Sequence, residues 1–312
     1  MYNRNKYTSH RPGYAKRRRI IGMPGITNKT DLHIHSIYSD GSGSPEEIVN
    51  MAADIGLRAI SLTDHDTVDG IAAGLAAAGN LPQAAVTFIP GVEISADYTS
   101  SLHIIGYFRP DNYMNIDPFL DEMKSERHIR NLGIIKKLNE LGIRVSADEV
   151  AKIAGKTIFG RPHIAAALVK KGVVTTPAMA FNEYLSGGRK AYVSKRSRPP
   201  DECVSAIAEA GGLPVIAHPS LTGLRLSELE TLAKSLARHG LSGLEAYYPE
   251  HTPKETENYV KLAESLNLLA TGGSDFHGEY RKHIRLGEGK GGNLLIPDAA
   301  SYALLSALNM RL

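Results

Sequence analysis

The chain has 312 residues, 42% of them hydrophobic, a length that suits one large α/β domain or one domain with a sizeable insertion. A single cysteine, Cys203, excludes an intramolecular disulfide framework and a cysteine-based zinc cage, and no apolar run reaches membrane-spanning length. The net charge of +3 is unevenly spread: residues 1–30 hold eight Lys or Arg and no acid, which leaves 28 basic against 33 acidic residues in the remainder.

The basic arm, residues 1–29, includes the run Lys16, Arg17, Arg18 and Arg19. Such an arm is either a solvated extension or a contact for nucleic acid or anionic lipid. It lacks the apolar stretch of a secretory signal. With one cysteine, a reducing, cytoplasmic setting is expected. Cys203 itself reads as a small apolar residue in the helix after Pro200.

Past the arm, "TDLHIHSIYSDGSGSPEE" (30–47) alternates Leu32 and Ile34 with His33 and His35. That is a strand pattern, and it predicts that the apolar pair enters one core while both imidazoles face the other way. Ser44-Pro45-Glu46-Glu47 then reads as a helix start, with Asp40 in the loop between. Further strand-like runs fall at 58–63, 86–89 with 92–95, 102–108, 213–217, 243–247 and 268–271. Helical patterns fall between most of them, at 45–55, 68–78, 201–210, 227–238 and 253–266. Alternation at this spacing predicts parallel strands covered by helices, as a barrel or a strongly twisted sheet of about seven strands. The rhythm breaks between Asp111 and Val193, where helical patterns at 117–141, 147–153, 161–171 and 177–185 predict a helical insertion. The expected organisation is therefore the arm, a barrel from 30–110 and 194–312, and an insertion over 111–193.

The acids and histidines fall at strand ends. Asp64, His65 and Asp66 end one strand, and Glu93 lies in an otherwise apolar strand. His103 starts another, His218 ends another, and Asp275 with His277 ends the last. In α/β folds with parallel strands the carboxyl ends converge on one rim, where active sites form. Six of the twelve histidines belong to this set, more than independent structural histidines would place there.

These segments resemble the PHP family, the polymerase-and-histidinol-phosphatase metallohydrolases. The resemblance rests on "HIHSIYSDG", "TDHD", "PGVEIS", "LHIIGY", "AHP" and "GSDFHG", in family order across residues 31–278. "GRPHIAAALVKKG" and "LEAYYPEHTP" are similar to the stand-alone branch that acts on nucleotides. The resemblance implies a distorted seven-stranded (βα) barrel and three divalent metals. The first would take His33, His35, Glu93 and Asp275. The second would share Glu93 and add His103 and His218. The third would take Asp40, His65 and His277. Imidazole with carboxylate suits manganese, and also iron or zinc. Asp64 is expected to orient a histidine rather than bind metal, Asp66 to be a helix-start acid and Asp69 a turn residue.

Three dications against three carboxylates leave the site at about +3, which matches a hydroxide plus a phosphate dianion. A metal-bridged hydroxide would then attack a phosphoester, with Asp40, His65, Glu93, His218 and His277 as the catalytic set. The insertion supplies Arg127, Arg130, Arg161 and Lys195. Arg161 and Arg130, with Lys195, are the candidates for a second phosphate. The branch implies removal of the 3′-phosphate from nucleoside 3′,5′-bisphosphates, or trimming of short 5′-phosphorylated RNA, with no membrane and no obligate protein partner. "AHPSLTGLR" departs from the Arg-Tyr that often follows His-Pro in relatives, which bears on substrate preference rather than on metal binding. Two alternatives stand beside this reading: a histidinol-phosphatase-like enzyme, and a silent nucleic-acid-binding protein that keeps the barrel.

Overall fold

A computed structural model describes residues 29–82, 85–154, 159–194 and 198–311. The basic arm, apart from Lys29, and Lys195 lie outside the described residues.

Seven strands form one sheet in sequence order: β1 (Thr30–Ile34), β2 (Ala59–Leu62), β3 (Thr87–Ala96), β4 (Leu102–Tyr107), β5 (Leu213–Ile216), β6 (Gly243–Tyr247) and β7 (Leu269–Gly272). A bridge between Ile34 and Phe276 brings β7 back to β1, so the sheet nearly closes into a barrel. The expectation of parallel strands fails at β4, which runs antiparallel to both β3 and β5. Residues 97–101 are too few to cross the barrel, and so short a connection joins only antiparallel neighbours. The two short runs at 86–89 and 92–95 are one strand, which continues through Pro90 and Gly91.

Helices α1 (Pro45–Asp54) and α2 (Ile71–Gly79) follow β1 and β2, and α7 (Pro200–Glu209), α8 (Leu226–Ala237) and α9 (Pro253–Ser265) surround β5 to β7. The start of α1 is as its sequence suggests. Ser44 accepts from the Glu47 N–H, the Glu47 carboxylate accepts from the Ser44 N–H, and Pro45 opens the helix. The helices press Ile48, Val49, Val204, Leu229 and Tyr259 against the outside of the sheet. Inside, Leu32, Ile89, Ile105, Tyr107 and Val215 pack with Leu304 and Leu305 of a C-terminal helix, α10 (Asp298–Ala307), and with Leu308 directly after it, so that this helix plugs the barrel floor. Leu32 and Ile34 therefore do not share a core: Leu32 joins the inner cluster and Ile34 the outer. An irregularity of register between Asp31 and Ile34 accounts for the change of face.

Between β4 and β5 run α3 (Asp117–Glu140), α4 (Ala147–Ala154), α5 (Arg161–Lys170) and α6 (Pro177–Ala180). Leu120 and Met123 of α3 pack on the barrel's outer core. Ile134 and Leu138, farther along the same helix, belong to a separate apolar cluster with Val150, Ile164, Leu168 and Leu185. One 24-residue helix thus links two cores.

Gly273 follows β7, and a Cβ there would overlap the Cβ and backbone nitrogen of His33. This close approach lets the Asp275 N–H donate to the His33 carbonyl at 2.9 Å. Gly273→Ala is expected to cost about 1–3 kcal/mol, because the contact is with backbone that cannot move aside. A urea midpoint equal to that of the wild type would refute this account.

Candidate metal centre

The strand ends deliver the side chains, and the backbone there is strained. Five described non-glycine residues have positive φ, and three of them, Asp66 (53°), His218 (24°) and Asp275 (57°), sit on this rim. Such conformations cost of order 1 kcal/mol or more each and persist where the surroundings over-determine them. For His218 the constraint is visible: its N–H donates to Glu245 Oε2 at 2.6 Å.

Glu93 lies at the centre, with 1% of its surface exposed. Its two oxygens divide their neighbours. Oε1 lies 2.8 Å from His103 Nδ1 and 2.8 Å from His218 Nε2. Oε2 lies 3.3 Å from His33 Nε2, 3.3 Å from His35 Nε2 and 3.1 Å from His65 Nδ1. One carboxylate with a separate oxygen for each of two groups of imidazoles has the geometry of a bridge. Asp275 Oδ1 faces His35 Nε2 at 3.1 Å, His277 Nδ1 at 3.5 Å and His33 Nε2 at 3.6 Å. Asp40 reaches in from solvent, with its side chain 55% exposed. It lies 3.3 Å from His277 Nε2, 3.5 Å from His35 Nδ1 and 3.8 Å from His65 Nε2. All nine predicted donors are thus brought together.

The donors fit divalent cations better than they fit one another. His33 Nε2 and His35 Nε2 are 3.2 Å apart, where two lone pairs repel unless a proton or cation lies between them. His218 Nδ1 is buried without a hydrogen-bond partner. His65 Nδ1, although 3.1 Å from Glu93, is out of line for a hydrogen bond and is also unpartnered. Four overlapping groups of three or four donors converge closely enough to hold an ion: His35-Asp40-His65-His277, His33-His35-Asp275, His33-Glu93-His218 and His65-Glu93-His103. Imidazole with carboxylate, and no thiolate, is the donor chemistry of manganese, iron or catalytic zinc.

Without ions, protons take the place of the cations. Burial opposes charge on His33, yet Glu245, Glu93 and Asp275 hold it well above its ordinary value. Against the same penalty, the hydrogen bonds that its ring donates to Asp275 and Glu93 raise His35 to about 10. Glu93 and Asp275 are held well down despite burial, Glu93 chiefly by His65 and His33 and Asp275 by His33 and His35. Desolvation pulls His65 down to about 4.

A second set of carboxylates, which sequence reasoning missed or assigned differently, holds the first in place. Glu245 of β6 is fully buried and lies 3.0 Å from His33 Nδ1, so it takes that N–H and turns the Nε2 lone pair toward the centre. Its signal was the same as that of Glu93, an acid in an apolar strand. Asp64 does not meet a histidine as expected. It accepts from the Ser36 N–H and hydroxyl and from Ser39 Oγ, fixing the loop that carries Asp40. Asp31 does the same for the opposite loop, accepting from the Ser274 N–H and hydroxyl and from the Gly287 N–H. Asp66 is no helix-start acid: it is buried, accepts from the Ser95 N–H at 2.9 Å and pairs with Arg127 of α3. Asp69 remains at the surface, 3.2 Å from Lys124.

Arg127 places the insertion one residue from His65. Behind it, Arg130 donates to the Val193 carbonyl at 3.2 Å, and Arg161 lies over the Phe181 ring, 5.7 Å from its centroid. Burial, then the nearby charges of Arg161 and Arg127, pulls Arg130 down to about 10. His163, in the same segment, caps its own helix by accepting from the Gly160 N–H at 3.0 Å. A cavity of about 640 Å³ lies away from the imidazoles, between α1 and residues 276–288. Its charged lining residues are Glu47, Glu279, Glu288, Lys282 and Arg285, and none of the nine donors lines it.

A seven-stranded barrel with this rim of imidazoles and carboxylates defines a metal-dependent phosphoester hydrolase. The chain belongs to the PHP domain family, whose match spans residues 31–173. It is 31% identical over 253 residues to a 5′-3′ exoribonuclease of Haemophilus influenzae, covering 81% of this chain and 91% of the relative. It is 30% identical over 259 residues to a 3′,5′-nucleoside bisphosphate phosphatase of Chromobacterium violaceum, covering 79% and 86%. A solved Bifidobacterium adolescentis structure, provisionally assigned as a metal-dependent phosphoesterase, superposes with a TM-score of 0.69 at 30% identity, over 89% of this chain and 96% of that one. No helix among the described residues is long and apolar enough to cross a membrane.

Proposed function

We propose that the protein hydrolyses the 3′-side phosphate of a 5′-phosphorylated nucleoside, either as a nucleoside 3′,5′-bisphosphate or at the first linkage of a short 5′-phosphorylated RNA. The observation that carries this is the cluster of Arg127, Arg130 and Arg161 beside the His65 end of the nine donors. Asp66 balances Arg127, but Arg130 and Arg161 bring like charge together with no ion pair among the described residues, a cost that a phosphate relieves through paired N–H donors. The nine donors would hold divalent ions, manganese by preference and three in number. Such ions polarise phosphoryl oxygens and lower the pKa of a water. Glu93 spans the cluster, Glu245 fixes His33, and residues 111–193 form the cap that presents the arginines. Water adds its oxygen to phosphorus, the P–O3′ bond breaks, and O3′ leaves with a proton.

The two substrates are one reaction. A site that requires a 5′-phosphate, and that works along a chain, must leave a 5′-phosphate on what remains. It must therefore break the P–O3′ bond, the same bond that a 3′-phosphatase breaks. Histidinol phosphate has no second phosphate and would leave the arginines unused.

The test is phosphate or nucleotide release, with manganese, from adenosine 3′,5′-bisphosphate, a 5′-phosphorylated dinucleotide and histidinol phosphate. Activity on the first or second that a chelator abolishes is expected; activity on histidinol phosphate alone would overturn the proposal. Arg161→Ala should raise KM for the bisphosphate about tenfold or more, the loss of one charge-assisted contact, and change KM for adenosine 3′-phosphate by less than about twofold. Equal effects on both would remove Arg161 from the 5′-phosphate site.

A further inference from the structure

Three of the nine donors are carboxylates, and their surroundings use their oxygens differently. Both oxygens of Glu93 face imidazoles, and so do both oxygens of Asp40, Oδ1 toward His277 and His35 and Oδ2 toward His65. Asp275 meets His33, His35 and His277 each through Oδ1. Its Oδ2 is taken by two groups from outside the nine. Tyr248 Oη donates to it at 3.0 Å and Arg281 Nη1 at 2.6 Å. A hydrogen bond also joins Arg281 to Tyr248, so the three side chains close a triangle.

Each corner of the triangle is fixed. Tyr248, directly after β6, is 5% exposed, and its ring lies 5.5 Å from that of His218 and 5.2 Å from that of His251. Arg281 ends a 3-10 turn, Gly278–Arg281, whose Glu279 N–H donates to Ser42 Oγ at 2.8 Å. Asp275, at a φ of 57°, is tied by its own N–H to the His33 carbonyl. A free carboxylate binds a divalent ion through one oxygen or chelates it through both. A chelating Asp275 would fill one more place around the ion, whereas a catalytic site keeps a place for water or substrate. The phenol and the guanidinium would both have to leave Oδ2 before a cation could take it.

We propose that Tyr248 and Arg281 are positioning residues, which confine Asp275 to one cation-facing oxygen and so keep a place beside the ion for water or a phosphoryl oxygen. This rests on the reading of the nine donors as a metal centre and deepens it, and it holds for whichever phosphoester is cleaved. Groups behind a metal ligand set its orientation, and here they also set how many of its atoms bind.

The experiment uses the full chain, with manganese and inorganic phosphate as probes. In crystals of the manganese-loaded wild type, Asp275 should touch the ion through Oδ1 alone, with Tyr248 and Arg281 still on Oδ2. In the Tyr248→Phe/Arg281→Ala double variant both oxygens should bind. In solution, Arg281→Ala is compared with the double variant, because the two carry the same charge and differ by one hydroxyl. By calorimetry, the double variant should bind manganese at least as tightly, and its loaded form should bind inorganic phosphate about tenfold more weakly. Arg281→Lys, which keeps a cationic donor for Oδ2, should restore phosphate binding. Weaker manganese binding by the double variant would mean that the pair merely supports Asp275, and overturns the proposal. Unchanged phosphate binding, or a wild-type Asp275 that chelates, overturns it too. A wild type that meets these expectations yet cleaves neither the bisphosphate nor a dinucleotide overturns the proposed function alone. One that binds no manganese overturns both.

Discussion

Glu93→Gln is expected to lower phosphate release by at least ~10³-fold on every substrate, and to lower bound metal with it. The size follows from position. Glu93 lies buried at the centre, and its two oxygens divide five imidazoles between them, with His103 and His218 on Oε1 and His33, His35 and His65 on Oε2. Gln keeps the shape but loses the negative charge and replaces one acceptor with an NH₂ group, which cannot bind a cation. The amide would also face imidazoles that the carboxylate holds protonated in the metal-free protein. Folding should survive, since the substitution is isosteric and Asp275 remains. Metal analysis by mass spectrometry beside initial rates separates the readings. Full metal content with normal rates would exclude Glu93 as a bridge. Full metal content with lost rates would keep it in the chemistry but not in metal retention.

The sequence carried much of this centre because the donors occur as motifs at strand ends. His33, His65, Glu93, His103, His218 and Asp275 each sit in or beside a short apolar run, and a barrel gathers such ends on one rim. What it did not carry depends on tertiary packing. The antiparallel β4 depends on how short the β3–β4 connection is, a fact visible in residues 97–101 but outweighed by the regular β/α rhythm elsewhere. The separation of Leu32 from Ile34 comes from a register irregularity that alternation cannot reveal. The reassignment of Asp64 from histidine to Ser36 and Ser39, and of Asp66 from helix start to partner of Arg127, needed to know which loop lies against which. Glu245 was the legible omission, since an acid inside "GLEAY" carries the same anomaly as one inside "PGVEIS". The plug α10 was missed because the seven-strand rhythm has no place for it.

Metal uptake should release protons, and its affinity should rise steeply with pH. In the metal-free protein His33 lies well above its ordinary value and His35 reaches about 10, so both are charged near neutrality. A cation must displace those protons before the ring nitrogens can bind it. Glu93, Asp275 and Asp40 are held low despite burial, so these acids are already ionised and release nothing. His65, at about 4, is already neutral. His33 and His35 thus supply one proton each, and each contributes up to about tenfold in affinity per pH unit, or about 100-fold per unit together. The stability of the metal-free protein has the opposite sign. A folded pKa raised above the unfolded value of about 6.5 gives stabilisation that is complete below that pH and lost as pH rises toward about 10. His65 adds a smaller term, in which stability falls with acid between about pH 6.5 and about pH 4. The metal-free protein should therefore melt at progressively lower temperature from about pH 7 upward, while the manganese-loaded protein should not. Calorimetry of manganese binding in buffers of different ionisation enthalpy counts the protons directly. A count near zero at about pH 7 would mean that His33 and His35 are neutral before metal arrives, and that their carboxylate neighbours do not set their charge.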